Sequence, residues 1–109
     1  RKLSLNRMIQ QVPEADVVVR NPTHYAVALK YRAEEDAAPL VVAKGQDSLA
    51  RRILDVAEKN GVLIAENKPL AQSLYRNVDV NEYIPEEFFR PVAEILAWVY
   101  RQRKERRRA

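Results

Sequence analysis

The run Val17-Val18-Val19-Arg20-Asn21-Pro22-Thr23-His24-Tyr25-Ala26-Val27-Ala28-Leu29 places two short strands on either side of a tight reversal. Val17 to Val19 is a β-branched segment too short for a helix and apolar enough for a strand buried on both faces. Asn21-Pro22 is a turn signal, and Tyr25 to Tyr31 gives a second apolar strand. Only Asn21 to His24 separate the two. Parallel neighbours need a crossover of about a dozen residues or more, so these strands, if adjacent, pair antiparallel.

Working outward, Leu5, Met8, Ile9 and Val12 recur at helical spacing, which predicts a short amphipathic helix over 3–11 that Pro13 ends. On the other side, Ala33 to Ala38 reads as an acidic loop and Pro39 to Ala43 as a third strand. Asp47 or Ser48 then caps a helix carrying Leu49, Ala50, Ile53, Leu54, Val56 and Ala57. Asn60-Gly61 stops it, with Gly61 free to turn left-handed. Val62 to Ala65 is the fourth strand, and strand–helix–strand over this length predicts a right-handed βαβ unit. Pro69 opens a short helix through Tyr75. Pro85 opens the last one, with Glu86 and Glu87 at its positive end and Phe88, Phe89, Val92, Ala93, Ile95, Leu96 and Val99 as apolar positions. The expected fold class is α/β: one domain with a small mixed four-stranded sheet surrounded by about four helices. Residues 1–12 form a leading linker helix and residues 13–109 the domain proper.

Composition narrows the function classes. The 109 residues are 47% hydrophobic and 31% charged, within the range of a globular chain with one modest core. Absence of cysteine excludes disulfides and thiolate metal sites and suits a reducing compartment. No apolar run approaches the ~18 residues of a membrane span. The net charge of +4 is concentrated at the ends. Residues 1–8 hold three basic groups and no acid, and residues 101–109 hold six and one, which leaves −4 for residues 9–100. A nucleic-acid-binding domain spreads Lys and Arg over a face of its fold; here the basic run Arg101 to Arg108 reads as a solvated helix end or tail, near an anionic surface at most. With one His, two Gly and no Cys, little is available for a nucleophile triad, a phosphate loop or a zinc site. Glu34, Glu35 and Asp36 read as solvated acids. No metal and no cofactor are expected, and no multiple-turnover enzyme.

The chemistry lies in Asn21-Pro22. An Asn side-chain amide can attack its own backbone carbonyl, close a five-membered succinimide and expel the next residue's nitrogen. The usual competitor is attack by the following backbone nitrogen on the side chain, which gives deamidation. Pro22 has no N–H, so that competitor is missing and Asn21 is channelled towards scission. A free amide is a poor nucleophile, so the fold must hold it in attack geometry; such positioning supplies ~7–11 kcal/mol in well-aligned intramolecular systems. His24, the only histidine, has an unperturbed pKa near ~6.5. Two roles are open to it: moving a proton, to or from the reacting nitrogens, or only shaping the turn. Thr23 supplies turn hydrogen bonds.

Asn21-Pro22-Thr23-His24 followed by Tyr25-Ala26-Val27-Ala28-Leu29 resembles the signature of the FlhB/YscU family, in its flagellar branch. The resemblance continues through Ala38-Pro39-Leu40-Val41-Val42-Ala43-Lys44-Gly45, Glu66-Asn67, Leu70-Ala71, Leu74-Tyr75, Ile84-Pro85-Glu86-Glu87-Phe88 and Ala93-Glu94-Ile95-Leu96-Ala97, from about Asp16 to about Tyr100. It implies a component of the bacterial flagellar type III protein export apparatus that cuts itself between Asn21 and Pro22 and takes part in switching export from hook-type to filament-type substrates. It implies a membrane-embedded N-terminal part ahead of this one, which the start at Arg1 fits, and a place on the cytoplasmic face of the inner membrane. Implied partners are export substrates and their chaperone complexes, other apparatus proteins and the hook-length control protein, with no nucleic acid. The two pieces, 1–21 and 22–109, are expected to stay together, since burying Val17, Val18 and Val19 alone contributes roughly 4–9 kcal/mol. A small apolar recess for export substrates is implied at Ala38, Pro39, Ala93 and Leu96, against ordinary core packing, which Leu96 in particular also suits. Trp98 and Tyr100 pack or face a partner. The alternative to this reading is a basic-tailed domain that binds nucleic acid or a membrane surface. A salt-dependent shift with nucleic acid that survives deletion of residues 101–109 would favour it.

Overall fold

A computed structural model describes residues 4–108; Leu3, the predicted start of the first helix, and the basic pair Arg1 and Lys2 lie outside them. Four strands, β1 (Val17–Asn21), β2 (Tyr25–Lys30), β3 (Leu40–Gln46) and β4 (Leu63–Glu66), form one sheet in the order β3-β2-β1-β4. β1 and β2 pair antiparallel as the short turn requires, from Val17 opposite Leu29 to Asn21 opposite Tyr25. β3 is antiparallel to β2 and β4 parallel to β1, so β1, β3 and β4 all run the same way. Helices α1 (Leu5–Ile9), α2 (Ser48–Lys59), α3 (Lys68–Asn77) and α4 (Phe89–Arg108) flank the sheet. The expected α/β fold with a mixed four-stranded sheet is the fold found.

Both faces of the sheet are covered, which is why its strands are nearly continuous apolar runs. Side chains alternate between the faces with period two. Val17, Val19, Val27, Leu29 and Val41 point to one core, where Leu70, Ala71 and Leu74 of α3 meet Phe88, Val92, Leu96 and Val99 of the C-terminal helical region. Val18, Ala26, Ala28 and Ala43 point to the other, under Ala50, Ile53 and Ala57 of α2 and under Met8, Ile9 and Val12. The three alanines on this second face are small enough to let α2 lie close. Gly45 continues that need: a Cβ there would sit 2.6 Å from Leu49 Cγ and 3.0 Å from the Leu49 carbonyl carbon.

Several boundaries differ from the sequence expectation, each for a tertiary reason. β3 runs three residues further than predicted, because Lys44, Gly45 and Gln46 pair with Val27, Ala26 and Tyr25. β3, α2 and β4 are the predicted strand–helix–strand succession, but β3 and β4 are opposite edges of the sheet; the connection passes over β2 and β1 rather than joining neighbours. Pro13 stands inside a 3-10 turn, Val12–Glu14, that prolongs the first helical segment. Pro85 precedes a second 3-10 turn, Glu86–Phe88, before α4 begins. α3 starts at Lys68, with the side chain of Asn67 accepting from the Leu70 N–H.

Candidate functional site

The parallel strands β1, β3 and β4 all finish at one end of the sheet, and three chain reversals meet there: β1 to β2, β3 to α2, and β4 to α3. The carboxyl ends of parallel strands are where α/β sheets commonly place ligands and chemistry. Here that end is occupied by the Asn-Pro turn. Asn21 is the last residue of β1, and Pro22, Thr23 and His24 span the gap to Tyr25. The His24 N–H donates to the Asn21 carbonyl oxygen at 2.9 Å. The turn is thus closed by a hydrogen bond on the carbonyl that succinimide formation would attack. Asn21 and Pro22 are half-buried, and Thr23 and His24 exposed.

Neighbouring elements fix this turn on both sides. The Asn67 N–H, at the start of α3, donates to the Arg20 carbonyl at 3.0 Å, and the Asp47 N–H, at the start of α2, donates to the His24 carbonyl at 2.9 Å. The Tyr25 ring packs at 4.9 Å on Tyr75 of α3. Lys44 holds the end of α3, donating to the carbonyls of Tyr75 at 2.8 Å and Val78 at 3.0 Å. The predicted cap of α2 is corrected here. Asp47 stands at the N-cap position, but its side chain makes no capping bond. Its carboxylate lies 3.5 Å from His24 Nδ1 instead.

The four residues of the expected recess also lie together. Ala38 and Pro39 meet Ala93 and Leu96 in a recess of about 250 Å³, completed by Tyr31, Ala37 and Phe89. Phe89, an expected apolar position of the last helix, is 43% exposed and forms a wall of the recess. Leu96 is buried and shared with the core. Trp98 is half-buried beside Ile64, Ile95 and Pro91.

The sequence reading missed Asp16. Its side chain is 3% exposed, and both carboxylate oxygens are hydrogen-bonded. Oδ2 accepts from the Tyr31 N–H at 2.7 Å and Arg32 Nη1 at 2.9 Å; Oδ1 accepts from Arg103 Nη2 at 2.7 Å. Arg103, read as part of a solvated tail, is therefore tied to the body of the fold. Burial first, then the nearby Asp16 carboxylate, raises the pKa of Tyr100 above the ordinary tyrosine value. An acid immediately before a β-branched strand was the available signal, but its partners are 15, 16 and 87 residues away.

A model of the FlhB HrpN YscU SpaS family matches residues 1–99. The chain belongs to that family. It is 50% identical over 104 residues to the flagellar biosynthetic protein FlhB of Bacillus subtilis, covering 95% of this chain and 29% of the relative. It is 51% identical over 107 residues to that of Helicobacter pylori, covering 98% and 30%. The chain thus spans about three-tenths of the length of these relatives. Among solved structures it resembles the cytoplasmic domain of FlhB from Shewanella putrefaciens, with a TM-score of 0.90 at 41% identity over 95% of this chain and 80% of that one. It also resembles the C-terminal domain of EscU, with a TM-score of 0.81 at 37% identity over 84% and 98%. No helix among the described residues is long and apolar enough to cross a membrane.

Proposed function

We propose that this family member is the self-cleaving switch domain of a flagellar type III export component, held at the cytoplasmic face of the inner membrane by a preceding membrane part. One observation carries the reading: the Asn21 carbonyl closes a turn onto the His24 N–H, at a peptide bond whose nitrogen is a proline's. In the step proposed, Asn21 Nδ2 attacks the Asn21 carbonyl carbon. Negative charge develops on the carbonyl oxygen, to which the His24 N–H already donates; a donor so placed stabilises that charge, by less than the ~2.7–4 kcal/mol of a water-excluded oxyanion hole because His24 is exposed. The carbon–nitrogen bond to Pro22 then breaks, Nδ2 gives up a proton and the Pro22 nitrogen gains one. The products are 1–21, ending in a succinimide that water later opens, and 22–109, beginning with a secondary amine. Each molecule reacts once.

Scission frees the turn without removing a layer of the fold, and the surface around Pro22 to His24 changes. That change is the proposed basis of the switch between export substrate classes. The recess of Ala38, Pro39, Ala93 and Leu96 is proposed to receive an apolar segment of those substrates, delivered with their chaperones. Other apparatus proteins and the hook-length control protein are the proposed neighbours that read the cut state.

Denaturing mass spectrometry of the purified chain tests the reading. Two masses for 1–21 and 22–109, eluting together under native conditions, are expected, with the smaller fragment one water lighter while its succinimide survives. A single intact mass after prolonged incubation at neutral pH, or a cut Asn21→Ala variant, would overturn it.

A further inference from the structure

Asp47 has a backbone conformation that L residues rarely adopt, φ 55° and ψ −116°. Strain of this kind persists where the surroundings impose it, and it clusters at functional sites. Folding alone gives no reason for an aspartate here. Glycine takes the conformation without strain, the carboxylate caps nothing in α2, and exposed ion pairs add little to stability. What the position does provide is two contacts on one residue. The Asp47 N–H donates to the His24 carbonyl at 2.9 Å, and its carboxylate faces His24 Nδ1 at 3.5 Å.

We infer that Asp47 is a positioning residue for His24 in the scission of Asn21-Pro22, an inference that rests on the self-cleavage proposed above. Its backbone N–H anchors the end of the turn, which keeps the His24 N–H on the Asn21 carbonyl. Its carboxylate accepts from Nδ1–H, so the neutral ring carries its proton on that nitrogen and leaves the Nε2 lone pair free to take one. A carboxylate setting the tautomer of a proton-moving histidine is a general device. The 3.5 Å separation is long, as such contacts often are before the reacting geometry is reached. The positive φ aims this side chain at the turn rather than at the helix it precedes.

Asp47→Gly separates the two contributions. It removes the carboxylate, keeps the N–H and relieves the backbone strain, so the urea midpoint is expected to hold or rise. Scission, followed by mass spectrometry from freshly refolded protein, is expected to slow by about tenfold or more. Asp47→Asn, which keeps shape but not charge, is expected to fall between. A second readout is independent of rate. His24 is the only histidine, so its ring ¹⁵N signals need no assignment. In an uncut Asn21→Ala background the Nδ1–H tautomer is expected, shifting towards Nε2–H in Asp47→Gly. Scission of Asp47→Gly at the wild-type rate, or an unmoved tautomer, overturns the inference while the self-cleavage reading stands. A wild-type chain that never cuts overturns both.

Discussion

Replacing Asp16 by alanine tests whether the buried carboxylate joins distant parts of the fold. The change strands three donors. The Tyr31 N–H, part-buried at 2.7 Å from Oδ2, loses its partner, and an unsatisfied buried donor costs about 1–3 kcal/mol. Arg32 and Arg103 also lose theirs. Breaking a fully buried ion pair costs about 3–5 kcal/mol, but these side chains are 40% and 42% exposed and regain water, so each counts as a surface pair of about 0–1 kcal/mol. The expected loss is about 1–5 kcal/mol. The assay is urea unfolding in an Asn21→Ala background, where one continuous chain gives a defined transition. With a slope of about 2 kcal/mol/M, the midpoint falls by about 0.5–2.5 M at unchanged slope. Asp16→Asn keeps an acceptor for Tyr31 and is expected to lose about half as much. A double-mutant cycle with Arg103→Met isolates the contact across 87 residues. A midpoint shift below about 0.3 M for Asp16→Ala refutes the reasoning.

Three other outcomes are expected. Pro22→Ala restores a backbone N–H after Asn21, so scission slows and Asn21 deamidation appears by peptide mapping; clean scission at the wild-type rate counts against the nitrogen argument. Gly45→Ala drives a Cβ into Leu49 of α2 and lowers stability by about 1–3 kcal/mol in urea unfolding, with no effect expected if α2 simply shifts away. Ala93→Asp places a charge on an exposed wall of the apolar recess. It leaves domain stability within about 0.5 kcal/mol but shrinks the swimming halo of a strain carrying the full-length protein; an unchanged halo removes the recess from substrate docking.

Much of the fold was legible because its signals are local. Val17 to Val19, the Asn-Pro turn and the apolar run after Tyr25 place a hairpin without knowledge of anything else. Gly61, at φ 71°, ends α2 where the dipeptide predicts. What escaped was set by partners far along the chain. β3 continues through Lys44, Gly45 and Gln46 because β2 is there to receive their hydrogen bonds. Asp47 forgoes capping α2 because its backbone is turned towards His24. Arg103 is tied to the body of the fold because the buried Asp16 carboxylate accepts from it. The proposed chemistry at Asn21 rests on Asn-Pro limiting the local reaction routes, whereas the donor on its carbonyl depends on how the turn closes, which composition does not encode.

The strand order β3-β2-β1-β4 also bears on time. β1 ends at Asn21 and lies between β2 and β4, hydrogen-bonded along both sides. An edge strand can peel away one bond at a time; an interior strand leaves only when two ladders and both covering cores open together. For the piece 1–21 of a nicked molecule, escape is therefore as slow as global unfolding, which in small domains ranges from sub-second to days. If the chain is cut as proposed, stability set by residues remote from the turn, Asp16 among them, becomes the clock that fixes how long the two pieces remain one particle.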